Sequence, residues 1–440
     1  MVKVITYGTF DLLHYGHIRL LERAKALGDY LIVGVTSDDF DKVRGKINVQ
    51  QSLMERVEAV RATGIADEII IEEYEGQKID DIKRYDVDIF TVGSDWVGYF
   101  DYLNEFCKVV YLERTQGVSS SELRSEKRKI KLGLVGNNRY LNKFLHETKY
   151  VNGVEVFGIY STDKSALTDE TLSLKLVTDD YDELLDVCDA VYIHSSPKEH
   201  YYQVKKALEK KIHVMCEAPI ALSKSDYFEL VELAKLNSLV LMDSLRTAYS
   251  TAFDRMLLLI KGGKIGEVVS VDATCTSLTV NDNNRWNSIT AWGPTAFLPI
   301  FELLGNEYIR VDIISKFDDR KELKDSFTKI DLLYKNSVAS VKVGCGVKSE
   351  GELIISGTKG YVYVPAPWWK TDYFEIRYEK SEENKRYFFQ LDGEGIRNEI
   401  VAFIRAISNQ EYVLKISHNT SSSIISIMEE YFLKENFKEI

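Results

Sequence analysis

The sequence predicts an α/β protein in three successive parts. These are two successive doubly wound, Rossmann-like α/β domains and an α+β domain with a large open antiparallel sheet. Three observations point there. Short β-rich apolar runs alternate with helix-length segments over residues 1 to 125; a fresh strand signal, KLGLVG, begins at 131 after the charged connector SEKRKIK; beyond about 266, strand follows strand with only turn-length connections. Alternation of the first kind indicates a parallel sheet covered by helices, and short turns of the last kind indicate an antiparallel meander.

The elements follow in order. In the first domain, residues 1–128, VKVITYG reads as a strand and His14 to about Gly28 as a helix, with DYLIVGV the next strand. A helix near Ser52 to Thr63 comes next, then the strands ADEIIIEEY, DVDIFTVG and KVVYLE, and a polar helix start from Ser119 to Arg128. In the second domain, residues 130–250, GVEVFGIYS, DAVYIHSS, IHVMCE and LVLMDS are strands with helical runs between them, a doubly wound pattern. In the third, residues 251–440, EVVSVDATCTS, YIRVDIISKF, FTKIDLLYK, SVASVKVGCG, GELIISG, YVYVPAPWW, YFEIRYE and RYFFQL are strands. IRNEIVAFIRAI and SSSIISIMEEYFLKENF supply closing helices.

Composition narrows the function classes. A chain of 440 residues with 45% hydrophobic and 28% charged content has full cores. A net charge of -12 argues against general nucleic-acid binding, which draws on excess Lys and Arg. Five cysteines, Cys107, Cys188, Cys216, Cys275 and Cys345, stand singly without zinc spacing, as in a reduced cytoplasmic protein. The N-terminus enters a strand directly and about 18 apolar residues never run together, so neither secretion nor membrane insertion is expected.

The chemistry concentrates at GTFDLLHYGH. A strand ending in a small-residue turn and followed by a helix favours an anion beside the first helical N–H groups. Gly8 and Thr9 let the backbone approach phosphate closely. His14 and His17, three residues apart, share one face of the first turn, where imidazole donors stabilise charge gathered on a phosphate under attack.

The segment resembles the GxFDxxHxGH signature of the nucleotidyltransferase superfamily. VGSDWVGYFDYL (92–103) and YLERTQGVSSSELR (111–124) are similar to the GDDW and RTxGIST segments that accompany HxGH in glycerol-3-phosphate cytidylyltransferases. The resemblance implies that His14, His17 and Arg114 are catalytic, and that Gly8, Thr9, Phe10, Asp11, Asp95, Trp96, Thr115, Gly117, Ser119 and Ser120 surround the nucleotide. Plain packing is the alternative for Trp96, and Ser94 departs from the family's Asp. Arg44 and Lys46, in the basic loop DKVRGK, are candidates for the acceptor or the triphosphate, with Arg56 and Arg61 weaker ones. The resemblance further implies CTP and a small polyol phosphate as partners, Mg²⁺ with the triphosphate, and CDP-glycerol-type products for wall teichoic acid or capsule. An adenylyltransferase and a CTP-sensing regulatory protein are the other readings.

Residues 130–440 resemble the Gfo/Idh/MocA oxidoreductases through HVMCEAPIALS (213–223) and SGTKGYVYV. The family's glycine turn reads Gly136-Asn137-Asn138-Arg139-Tyr140-Leu141 here, and Ser161, Thr162 and Asp163 stand at the ribose position. Glu217-Ala218-Pro219 replaces Glu-Lys-Pro, removing the lysine that works on the substrate proton; Thr295 and Ala291 stand where the family has histidine and aspartate. Gly136, Asn137, Asn138, Ser195, Glu217 and Pro219 mark the cofactor region, for NAD(P) if one is bound. A reductase that makes the polyol phosphate from a ketone phosphate, a nucleotide- or substrate-binding relic, and a scaffold whose sheet forms a homodimer all remain open. His194 reads as a strand-end residue with ordinary hydrogen bonds, and the tryptophans at 286, 292, 368 and 369 as packing or a pocket wall.

Overall fold

The computed structural model describes residues 1–43, 49–74, 76–113, 129–137, 139–151, 153–278, 287–317, 325–389, 391–408 and 413–440. They form two compact units, Met1–Lys129 and Ile130–Ile440.

In the first unit, five parallel strands, β1 (Lys3–Gly8), β2 (Tyr30–Thr36), β3 (Glu68–Glu72), β4 (Ile89–Gly93) and β5 (Lys108–Leu112), lie in the order β3-β2-β1-β4-β5. Helices α1 (Tyr15–Lys25), α2 (Asp38–Val43), α3 (Leu53–Ala62) and α4 (Gln77–Tyr85) connect them. Successive side chains of a strand face opposite ways, so Val4 joins one core with Leu21, Ala24, Val57 and Val60, while Ile5 joins another with Ile82, Phe90, Phe100 and Leu103. With both faces covered, β1 has no polar side to show, which is why its apolar run is unbroken from Val4 to Ile5 and stays buried through Tyr7. The strand order reverses direction at β1, so the carboxyl ends of β1 and β4 flank the crevice where such sheets bind ligands.

The second unit carries two sheets. Strands β6 (Ile130–Val135), β7 (Val154–Tyr160), β8 (Leu176–Thr178), β9 (Ala190–Ile193), β10 (His213–Glu217) and β11 (Leu241–Ser244) form a parallel sheet ordered β11-β10-β9-β6-β7-β8, a doubly wound arrangement with its switch point between β6 and β9. Its helices are α5 (Tyr140–Thr148), α6 (Asp169–Leu172), α7 (Tyr181–Leu185), α8 (Pro197–Glu209) and α9 (Lys224–Leu236).

The second sheet contains β12 (Val268–Ser277), β13 (Arg310–Phe317), β14 (Asp325–Leu333), β15 (Val338–Cys345), β16 (Leu353–Gly357), β17 (Tyr361–Val364), β18 (Tyr373–Arg377), β19 (Lys385–Phe388) and β20 (Phe437–Glu439). Helices α10 (Thr251–Lys261), α11 (Ser288–Leu304), α12 (Ile396–Ser408) and α13 (His418–Leu433) complete the unit. The expected antiparallel pairings are present, yet the sheet is mixed: β12 pairs with β15, and β13 with β20, in parallel. The physical reason is connection length. Between β12 and β15 the chain inserts α11 and the β13–β14 hairpin, enough to return it to the same end of the sheet, and β20 is laid down only after α13. Among the described residues no helix is long and apolar enough to cross a membrane.

Candidate active site

The turn after β1 is built from left-handed backbone at two non-glycine residues, Phe10 (φ 53°) and Leu12 (φ 49°). Such residues are sterically disfavoured by roughly 1–2 kcal/mol each and persist where the surroundings hold them. Asp11, 3% exposed, accepts the backbone N–H groups of Gln50 and Gln51 at 3.0 Å each, and the Leu12 N–H donates to Gln51 Oε1 at 2.8 Å. The Phe10 ring packs in the core under Gly8, where an added Cβ would meet it at 3.0 Å. The Thr9 hydroxyl donates to Asp41 Oδ1 at 2.8 Å.

Arg56 ties these pieces together. Its side chain is 0% exposed; it donates to the carbonyls of Thr9 (2.6 Å), Thr36 (2.8 Å) and Gln51 (3.2 Å), pairs with Asp38, and lies 3.7 Å from Asp41. One guanidinium thus fixes the β1 turn, the end of β2 and the entries to α2 and α3. Its role is structural, while Arg61, the other weak sequence candidate, is exposed and paired with Glu58. Arg56→Ala is expected to destabilise the first unit by about 3–5 kcal/mol in urea denaturation, because it strands buried Asp41. Lysine should rescue little of that loss, since an ammonium cannot reproduce the fork. A change under 1 kcal/mol would count against this role.

His14 and His17 occupy positions that the sequence does not predict in detail. His14 is the N-cap of α1, and its Nδ1 accepts the Gly16 N–H at 3.0 Å; His17 Nδ1 accepts the His14 N–H at 3.4 Å. The two imidazoles form a reciprocal capping box, the role usually played by Ser or Thr with Glu. Two N–H groups at the helix start, those of His14 and Gly16, are therefore engaged by the histidines themselves where an anion was expected. With both Nδ1 lone pairs accepting, each ring in its neutral form carries its proton on Nε2. The rings stack at 3.9 Å and 22°, with Phe10 edge-on to His17 at 5.5 Å.

The β4 end meets the β1 end because these strands pair, Thr6 opposite Thr91. A short 3-10 turn, Ser94–Trp96, follows Gly93, and half-buried Trp96 packs on Tyr99 (5.4 Å) and Phe100 (5.8 Å). The Asp95 backbone lies in that turn; its side chain falls outside what is described, as do Arg44, Lys46, Arg114, Thr115, Gly117, Ser119, Ser120 and Asn138. Within the unit lies a charged layer that the sequence reading missed. The Tyr7 hydroxyl donates to Asp81 (2.9 Å), Gln77 also donates to Asp81 (3.1 Å), Lys78 pairs with Glu72, and the Thr36 hydroxyl donates to Glu72 (2.8 Å). Burial first, then the Asp81 carboxylate, pushes the Tyr7 phenol up. Among the described residues no group of three or more His, Cys, Asp or Glu is arranged to hold a metal.

In the second unit the β6 end turns at Gly136 (φ 143°), where any Cβ would meet the His194 carbonyl oxygen at 2.2 Å. Asn137 accepts from the Ser161 hydroxyl (2.7 Å) and the Thr162 N–H (3.0 Å), and donates to the Thr162 hydroxyl (2.8 Å), joining the turn to the end of β7. Leu141, at the third-glycine position, is fully buried and packs inward. The turn and the β7 end fit a dinucleotide on these observations: backbone at Gly136, and the exposed Thr162 hydroxyl beside the ribose position.

Next to it, at the carboxyl edge of the sheet, His194 Nε2 lies 3.6 Å from Glu217 Oε2 and stacks on Tyr140 at 4.6 Å, and the Tyr192 hydroxyl donates to Glu217 at 3.2 Å. His194 is a member of this cluster and not an isolated strand end; burial pulls its pKa down to about 4, so its ring is neutral. The Ser195 hydroxyl donates to Gln203 at 2.5 Å, and the Pro219 carbonyl bonds His200 Nδ1 at 2.8 Å. Glu399 from α12 is 0% exposed; burial, followed by the Glu217 charge, outweighs the opposing pull of Arg246, Ser244 and the Leu245 backbone and pushes its pKa up to about 8.

Comparison with known proteins fits this geometry. Residues 5–126 match the family described as cytidylyltransferase-like, and residues 130–244 match the oxidoreductase family with an NAD-binding Rossmann fold. A glycerol-3-phosphate cytidylyltransferase from Bacillus spizizenii is 48% identical over 126 residues, covering 29% of this chain and 97% of that protein. One from Staphylococcus aureus is 46% identical over 130 residues, covering 29% and 95%. A 3-ketoreductase from Actinomadura kijaniata, solved in complex with NADP, superposes with a TM-score of 0.63 at 16% identity, covering 71% of this chain and 100% of that one. A UDP-N-acetylglucosamine 3-dehydrogenase from Acidithiobacillus ferrooxidans gives 0.59 at 14% identity, covering 70% and 98%; at such identities both neighbours speak for the fold alone. With a near-complete relative at almost half identity behind the paired histidines, the chain belongs to the cytidylyltransferase-like family, as a nucleotidyltransferase that also carries a Gfo/Idh/MocA oxidoreductase domain.

Proposed function

We propose that the first unit joins CMP from CTP to glycerol phosphate, or to a similar small polyol phosphate, giving CDP-glycerol and pyrophosphate. A phosphate oxygen of the acceptor forms a bond to the α-phosphorus as the bond from that phosphorus to the β-bridging oxygen breaks, and pyrophosphate leaves in line. The acceptor is already ionised, so no strong base is needed; positioning and charge stabilisation carry the rate. The observation that carries this reading is the stacked imidazole pair at the start of α1 with both Nδ1 atoms engaged by backbone N–H groups, a geometry in which Nε2 is the proton-bearing atom that would donate to the triphosphate. Arg114 would add charge there, Thr115, Gly117, Ser119 and Ser120 would close on the nucleotide, and Arg44 and Lys46 would receive acceptor or triphosphate. Mg²⁺ would arrive on the triphosphate.

The experiment is pyrophosphate release from CTP or ATP with Mg²⁺ and a panel of alcohol phosphates. Release with glycerol phosphate, and with CTP well above ATP, is expected; equal rates with ATP overturn the base assignment.

For the second unit, NAD(P) would lie along the Gly136 turn with its ribose toward Ser161 and Thr162, and when bound it supplies hydride-transfer capacity. Around it this chain offers Glu217, held by Tyr192 and His194, where the family's lysine is Ala218.

A further inference from the structure

Three cations on three separate elements of the second unit converge on one carboxylate. Lys143 of α5 lies 2.5 Å from Glu394, Lys370 lies 2.9 Å away, and Arg246 3.4 Å away. Lys370 ends the 3-10 turn Trp368–Lys370, and Arg246 opens the 3-10 turn Arg246–Tyr249. The fold brings them together from positions more than a hundred residues apart at the widest, so this is not a charge run on one exposed helix face.

Glu394 reaches them by an unusual backbone. Gly393, Glu394 and Gly395 all have positive φ, at 59°, 53° and 82°. Glycine adopts that region freely, but at Glu394 it costs on the order of 1–2 kcal/mol. Its carboxylate is the acceptor toward which Lys143 and Lys370 point, and their hydrogen bonds outweigh burial, holding it down to about 2. The side chain nonetheless keeps 33% of its surface open to water. The cluster continues inward: the Arg246 guanidinium lies over the Tyr140 ring at 4.8 Å, Tyr140 stacks on His194, and His194 faces Glu217.

We infer that Lys143, Arg246 and Lys370 form a phosphate dock, that Glu394 occupies it as an internal anion, and that the ligand is a small phosphorylated compound whose polar end faces Glu217. The charge balance supports this. With Glu394 turned away, three cations set against Glu217 leave two positive charges, matching one phosphate dianion. A phosphate offers more acceptor oxygens than a carboxylate and can engage lysine and arginine donors together. Displacing Glu394 also releases its left-handed residue. The same phosphate chemistry could come from a small ligand or from a phosphate of NADP, and the two are separated below. The inference uses only the second unit, so it stands or falls independently of cytidylyl transfer.

The test is a titration of the full-length chain with inorganic phosphate, glycerol 3-phosphate, dihydroxyacetone phosphate and NADPH, followed by calorimetry and by tryptophan fluorescence. Trp369, next to Lys370 and packed on Trp292 at 4.9 Å, is a nearby reporter. Wild type is compared with Glu394→Gln and with the double variant Lys143→Ala, Lys370→Ala. A ligand that must first displace Glu394 binds with its affinity reduced by the fraction of time the dock is open. Glu394→Gln is therefore expected to tighten phosphate binding about tenfold, and the double variant to weaken it by at least about tenfold, with cytidylyl transfer unchanged in both. If the small phosphates respond, the dock serves a small phosphorylated ligand as inferred. If NADPH alone responds, that ligand assignment is overturned and the cations serve the dinucleotide. If Glu394→Gln weakens every probe, or no affinity moves in either variant, Glu394 is a structural strut and the inference is overturned.

Discussion

His17→Ala is expected to lower kcat for cytidylyl transfer by about a hundred- to a thousandfold, the usual cost of removing one positioned donor to a developing negative charge. The stability change should be small. His17 accepts one backbone N–H as the third residue of α1, and losing such a cap typically costs about 1 kcal/mol. A second variant separates the two roles. His17→Glu restores the common form of the capping box, in which a carboxylate accepts the N-cap N–H, and so should keep the helix start. It also sets a negative charge against the triphosphate, so transfer should be lost. Measured by pyrophosphate release beside thermal melts, alanine should be slow but folded and glutamate folded but inactive. An alanine variant whose activity falls only as far as its folded fraction would make His17 a capping residue alone.

The second large effect is on stability. Burial and the Glu217 charge raise the Glu399 carboxyl from 4.5 in the unfolded chain to about 8 in the fold. Its stabilising contribution is fully present below pH 4.5, where both states are protonated. It is lost as pH rises from 4.5 toward 8, where the unfolded chain ionises and the fold does not. The gap corresponds to on the order of 5 kcal/mol lost across that window. Glu399→Gln is neutral at every pH, so the second unit's stability should lose most of this slope. The variant is expected to be less stable than wild type, or equal to it, at pH 5 and more stable at pH 8. Denaturation at several pH values checks this; parallel wild-type and variant curves would show that Glu399 does not carry the proton.

What was legible depended on whether a residue's environment is local. The strands of the first unit showed as apolar runs because the sheet is covered on both faces, and α3 began where Ser52 and Glu55 form their capping box. α4 was invisible for the converse reason. Of its four buried residues only Ile82 is apolar; Gln77, Lys78 and Asp81 are polar, and partners such as Tyr7 and Glu72 on strands β1 and β3 make their burial tolerable. Arg56 read as a weak candidate for the acceptor or the triphosphate, and its buried contacts with Thr9, Thr36 and Asp41 come from segments distant in the sequence. The histidine pair was evident from spacing, but not its capping geometry, which depends on the chain entering α1 in an extended conformation at His14. In the second unit, Glu217 and Gly136 were marked by the resemblance of their segments to the Glu-Lys-Pro and glycine-turn motifs. Glu399, Arg246 and Glu394 carried no signal, because what distinguishes them is contact between segments far apart in the sequence. The parallel pairs of the large sheet were hidden for the same reason.

The most direct measurement is a crystal structure of the full-length protein with CTP and Mg²⁺. The triphosphate is expected in the crevice between the ends of β1 and β4, with oxygens of the α- and β-phosphates within about 3 Å of the Nε2 atoms of His14 and His17. A β1 turn closed to the nucleotide, or cytidine bound only along the Gly136 turn of the second unit, would contradict it.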